Sequence, residues 1–131
     1  MQTTVINIDQ ARKATAMQAA HHLYEQMQVM EKHRAAVQTS GLPALSRLVA
    51  IAQRDTGQGR IVGRFLLGLY NGPENPFDLT ELRCLDHELF NDCLRVLRMD
   101  NQPTHEVHEY LPNGSSIFAE LHQAYGKGGA A

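Results

Sequence analysis

No stretch of this chain stays apolar for the about 18 consecutive residues that a membrane-spanning helix needs, so no span is expected. The opening Met1-Gln2-Thr3-Thr4-Val5-Ile6 lacks the charged start and apolar centre of a secretory leader. Cysteine is scarce. Cys84 and Cys93 are the only two; on one helix their spacing turns them about 180° apart, too far round to bond within that helix, and a reducing, cytoplasmic setting is expected. A surplus of one charge is also missing. With 12 Lys/Arg against 14 Asp/Glu and a formal net charge of -2, the chain lacks the basic surface expected where phosphate contacts dominate. Alternating strand patterns of useful length are absent too, which points to an all-α fold of about five helices with a long N-terminal helix. The 131 residues fall in the range of one domain able to bury its own core.

What is present is helical periodicity. A first segment runs over about residues 9–38, with Asp9 as the expected N-cap because its carboxylate can accept from first-turn amides. Within it Ala16, Ala20, Leu23, Met27, Met30, Arg34 and Val37 alternate steps of four and three, a heptad stripe. Alanine fills little volume, methionine specifies packing weakly, and Arg34 interrupts the seam. The stripe therefore reads either as a helix laid over the rest of the fold or as a dimer-forming arm. Ser40-Gly41 is expected to end it, glycine relieving left-handed strain at a helix C-terminus.

The helical core is expected over residues 43–125. Pro43 suits the first turn of a new helix whose Leu45, Leu48, Val49 and Ala52 share one face. The joint Asp55-Thr56-Gly57-Gln58-Gly59 leads to a second helix carrying Ile61, Val62, Phe65, Leu66 and Leu69, broad enough to be nearly enclosed. A proline- and asparagine-rich loop, residues 71–76, precedes Asp78 and Glu81, a capping-box-like start. The apolar positions Leu82, Leu85, Leu89, Cys93, Val96 and Leu97 then keep helical spacing, in one bent helix or in two if Asp86 caps a fresh start. Residues 105–111 are ambiguous between a helical turn and an extended piece. Ile117, Phe118, Leu121 and Tyr125 suggest a last helix, and the glycine-rich residues 126–131 a flexible tail.

Candidate chemistry is thin. His105 and His108, three apart, would share one face of a helix and could share a metal, but they fall one residue short of the zinc-protease spacing and sit beside Pro103. No metal or cofactor is expected. The joint Gly57-Gln58-Gly59 superficially resembles a phosphate loop, yet it follows a helix rather than a strand and has no Walker lysine. Helix, glycine turn and helix also suggest a helix-turn-helix, but the second helix is too apolar to read bases. Arg47, Arg54, Arg60 and Arg64 remain as candidate anion or nucleic-acid contacts. No Ser, Thr or Cys has a recognisable base beside it, and the chain is read as no enzyme.

Charge is segregated. Residues 1–70 hold eight Lys/Arg and four Asp/Glu, residues 71–109 three and nine. Capping explains part of the acidic excess. The rest, with Asp86, Glu88 and Asp92 as candidates, reads as a surface for a basic partner.

Over Ala44-Leu45-Ser46-Arg47-Leu48-Val49-Ala50-Ile51-Ala52-Gln53-Arg54-Asp55-Thr56-Gly57-Gln58, then Arg60, Val62, Phe65-Leu66-Leu67 and Phe77-Asp78-Leu79-Thr80, the chain resembles a family of small uncharacterised bacterial proteins often associated with plasmids and other mobile elements. The resemblance spans about residues 44–100 and leaves the long N-terminal helix outside. It implies a bacterial accessory protein and supplies no activity or catalytic residue. The expectation from all of this is a cytoplasmic accessory protein that binds another protein, or itself, through Leu23, Met27, Met30 and Arg34 and the acidic residues. A DNA-associated regulator using the four arginines is the alternative, and a metal enzyme at His105 and His108 stands third.

Overall fold

In the computed structural model, residues 7–126 are described. The leader reading of residues 1–6 and the tail reading of residues 127–131 lie outside them. Four α-helices, α1 (Ile8–Ala52), α2 (Gly57–Tyr70), α3 (His87–Asn101) and α4 (Gly114–Tyr125), are joined with two 3-10 segments, Leu79–Cys84 and Val107–Tyr110. No strand occurs among the described residues. The chain is all-α, with a long N-terminal helix.

The division expected at Ser40-Gly41 is absent, because α1 continues through both Gly41 and Pro43. Proline removes one backbone donor and disfavours a helix interior by about 3 kcal/mol. The compensation is packing: Gly41, Ala44, Leu45, Leu48, Val49 and Ala52 form one continuous buried face. Gly41 serves a close approach rather than a cap, since a Cβ there would sit 2.8 Å from Met99 Cβ. The N-cap also shifts. Asn7 Oδ1 accepts from the amide of Asp9 at 3.0 Å, leaving Asp9 in the first turn where the helix dipole favours its charge.

The chain divides into two units, Met1–Ala35 and Ala36–Ala131. In the first, every described residue up to His33 is exposed. The second holds the core, where Leu45, Leu48, Val62, Leu66, Leu67, Val96 and Phe118 are almost fully enclosed. The joint between α1 and α2 is short because Thr56 caps α2, its hydroxyl accepting from Gly59 N at 2.9 Å. Asp86 splits the next stretch as one reading allowed: it caps α3 by accepting from Leu89 N at 2.8 Å, while Asp78 starts the 3-10 segment by accepting from Thr80 N at 2.9 Å. Gln58 Oε1 accepts from the amide of Asp86 at 2.8 Å, tying the interhelical joint to the start of α3. The ambiguous residues 105–111 include one 3-10 turn, closed by Glu109 accepting from the amide of Glu106 at 3.1 Å.

Tyr125 has a place that sequence periodicity missed. Its hydroxyl donates to the Ala52 carbonyl at 2.8 Å, satisfying an acceptor at the C-terminal end of α1. The Cδ2–Cε2 edge of its ring lies against Gly63, where an added Cβ would collide with it. A glycine in the middle of α2 is thus explained by an aromatic ring arriving from α4.

Candidate functional site

In the N-terminal unit, α1 presents an apolar face with nothing over it among the described residues. Leu23, Met27 and Met30 are 57%, 59% and 51% exposed, and Met17 and Tyr24 beside them are exposed as well. At 100° per residue these five side chains, with Ala16 and Ala20, fall on one broad side of the helix. Arg34 follows Met30 in the stripe. Its Nη1 is 3.6 Å from Glu31 Oε2, and its Nε has no hydrogen-bond partner among the described residues. Helices in proteins owe most of their stability to packing of an apolar face, so this uncovered face is the feature that most needs a partner.

In the second unit the residues assigned from sequence to two opposite roles meet one another. Arg47, on α1, grips Asp92, on α3, through Nε to Oδ2 at 2.9 Å and Nη2 to Oδ1 at 2.8 Å. Arg95 Nη1 adds a third bond to Oδ1 at 2.8 Å. Asp92 is only 4% exposed, so it belongs to the interior and not to an outward acidic surface. The Arg47 hydrogen bonds hold its carboxyl below the usual carboxylate range, aided by Arg95 and opposed by burial. The same pairing raises the Arg47 guanidinium. Such forked, charge-assisted bonds are strong and fix the rotation of one helix against another.

The remaining arginines are not a uniform basic edge. Arg64 bonds Glu81 at 2.7 Å, and Arg60 lies 3.9 Å from Asp55. Arg54 lines an open groove of about 490 Å³ together with Arg47, Ile51, Glu88, Leu89 and Arg95. Both signs of charge line that groove, and its arginines at 47 and 95 are already paired with Asp92. Asp86 uses its carboxylate as a helix cap, whereas Glu88 stays exposed.

The histidine pair is not brought to one face. His105 Nδ1 is 3.1 Å from Thr104 Oγ1 and its ring meets Tyr110 edge-on, while the His108 ring packs edge-on against Tyr70 with centroids 5.0 Å apart. Among the described residues no group of three or more His, Cys, Asp or Glu side chains is placed to hold a metal ion. Cys84 is exposed and Cys93 buried, and both are free thiols. Burial pushes the Cys93 thiol up to about 12, with Asp92 adding to the effect. No described helix is long and apolar enough to cross a membrane.

The packed helices just described coincide with a known sequence family: the model of a family of unknown function, DUF7673, matches residues 42–126. The chain belongs to this family. No curated protein and no solved structure matches the chain. The DUF7673 region begins at the buried stretch of α1 and ends just past Tyr125, so it contains Arg47, Asp92, Gly63 and Tyr125. Residues 8–35, with the exposed apolar face, lie outside the DUF7673 match.

Proposed function

We propose that this protein is a small accessory protein that acts by binding another polypeptide, and that the binding surface is the apolar face of residues 8–35. The exposure of Leu23, Met27 and Met30 on one side of α1 carries the reading. Those side chains supply the buried anchors that protein interfaces are built on once a partner excludes water from them. The acidic side chain of Glu88, exposed in the second unit, is a further contact for a basic partner. The resemblance of residues 44–100 to small bacterial proteins associated with plasmids and other mobile elements supports a bacterial, mobile-element setting. Two free thiols support a reducing, cytoplasmic one.

A photo-crosslinking amino acid at Met27 tests the reading, with Lys32, on the opposite side of the same helix, as the control. Irradiation in cells is expected to give protein adducts from position 27 and not from position 32. Equal yields from the two positions, or none from either, overturn it.

Regulation of DNA through Arg47, Arg54, Arg60 and Arg64 gains no support from the geometry. Arg47 and Arg64 are held by carboxylates of the chain itself.

A further inference from the structure

The apolar face has a pattern that selects its own occupant. Taking Ala20, Met27 and Arg34 as the a positions of the heptad, with Lys13 one heptad earlier, the d positions within residues 8–35 are Asp9, Ala16, Leu23 and Met30, with Val37 the next one beyond them. Within residues 8–35 both ends of the seam are therefore charged. Asp9 and Lys13 lie at the start, Arg34 at the end, and the small residues Ala16 and Ala20 precede the large Leu23, Met27 and Met30.

A parallel, in-register pair of such helices sets each residue against its own copy. Asp9 then faces Asp9, Lys13 faces Lys13 and Arg34 faces Arg34, each a like-charge layer. Alanine faces alanine and methionine faces methionine, which leaves space in some layers and crowds others. An antiparallel pair stacks a positions on d positions. In the register that sets Asp9 opposite Arg34, Ala16 meets Met27, Ala20 meets Leu23, and Lys13 lies against Met30. Every alanine of the seam then faces a large side chain, which is how facing positions fill a core evenly. The outermost layers become two Asp–Arg pairs. Shifting the antiparallel register by one heptad in either direction removes Arg34 or Asp9 from its counter-charge and sets it against an apolar residue. The same register places Met17 alongside Tyr24 on the flank of the seam, so the exposed Met17 and Tyr24 gain a sulfur–aromatic contact.

Resting on the protein-binding role proposed above, we infer that the occupant of this face is a second copy of the chain. It is bound antiparallel, with Asp9 of each copy against Arg34 of the other. Arg34 is placed for this: its side chain is 38% exposed and its contact with Glu31 is long, at 3.6 Å.

Sedimentation equilibrium of the full chain over a range of concentrations is the test. The unaltered protein is expected to show a concentration-dependent dimer. Asp9→Lys and Arg34→Glu, each alone, turn two attractive layers into repulsive ones and are each expected to weaken dimerisation about tenfold. The double variant Asp9→Lys/Arg34→Glu is expected to recover the original affinity, because each outer layer then again holds one positive and one negative side chain, with the signs exchanged. This recovery separates pairing between chains from effects within one helix, since the double variant keeps both local losses: the dipole-favoured Asp9 and the Glu31–Arg34 contact. Circular dichroism confirms that all four proteins remain helical.

Single variants as tight as the unaltered protein indicate a parallel pair and overturn the proposal. Weak single variants without recovery in the double overturn the register. A monomer at all concentrations overturns the second copy as occupant. The Met27 crosslink then still discriminates: an adduct with a different protein leaves the binding role standing, and no protein adduct removes it as well.

Discussion

Arg47 and Asp92, 45 positions apart, are joined by two hydrogen bonds of 2.9 and 2.8 Å that lock α1 to α3. The two ends of this link are unequally placed. The Arg47 side chain is 54% exposed, and that of Asp92 is 5% exposed. Removing the arginine leaves a buried carboxylate with Arg95 as its remaining ion-pair partner among the described residues, whereas removing the carboxylate leaves two guanidiniums that water can reach. Arg47→Ala is therefore expected to destabilise by about 2–3 kcal/mol and Asp92→Asn by about 1–2 kcal/mol, measured by urea denaturation. The reverse order would mean that the link is not buried on its acidic side.

The same link gives an acid limb to stability. Asp92 has its carboxyl lowered below the ordinary value in the folded state, first by Arg47 and then by Arg95. The unfolded chain binds this proton more readily, so stability contributed by Asp92 is complete above the unfolded value, near 4, and is lost as pH falls through the depressed folded value. In Asp92→Asn that part of the acid limb disappears. Denaturation midpoints at pH 7 and pH 3 are expected to differ less in Asp92→Asn than in the unaltered protein.

Tyr125 and Gly63 form a second coupled pair. Loss of the hydroxyl in Tyr125→Phe removes its bond to the Ala52 carbonyl and is expected to cost about 1 kcal/mol. Gly63→Ala pushes a methyl group into the Tyr125 ring and is expected to cost about 1–3 kcal/mol. Made in a Tyr125→Ala background, where the ring is gone, Gly63→Ala is expected to cost close to nothing. A double-mutant cycle measures the difference, and additive effects would show that the ring does not rest there.

The two thiols are expected to react differently. Cys84 is exposed, while Cys93 is buried and its thiol pushed up to about 12, so it carries little thiolate at neutral pH. Iodoacetamide at pH 8 is expected to modify Cys84 alone in the folded protein and both thiols in guanidinium chloride, read by peptide mass spectrometry.

Much of the fold was legible because periodicity and capping are local. Leu45, Leu48 and Val49 on one face, Val62, Phe65 and Leu66 on the next, and Asp78 and Asp86 as caps are all visible from spacing alone. Gly41 and Pro43 misled for the same reason. Read locally they end one helix and begin another, whereas in the folded chain Gly41 makes room for Met99 and the buried face carries the helix through Pro43. The candidate site divides in the same way. The exposed stripe of Leu23, Met27 and Met30 follows from residue order along one helix. The roles of Arg47 and Asp92 do not, since a charge far from its partner in sequence looks like a free surface charge.

The all-α class, most helix starts, the apolar faces and the heptad stripe are each a property of residues within one or two turns of one another, and residue order is enough to read them. The continuity of α1, the burial of Asp92 beside Arg47, the different partners of His105 and His108, and the closing of the end of α1 by Tyr125 came from the folded chain. Each of these depends on distant segments meeting, where burial and the pairing of charges outweigh the local preference of any single residue.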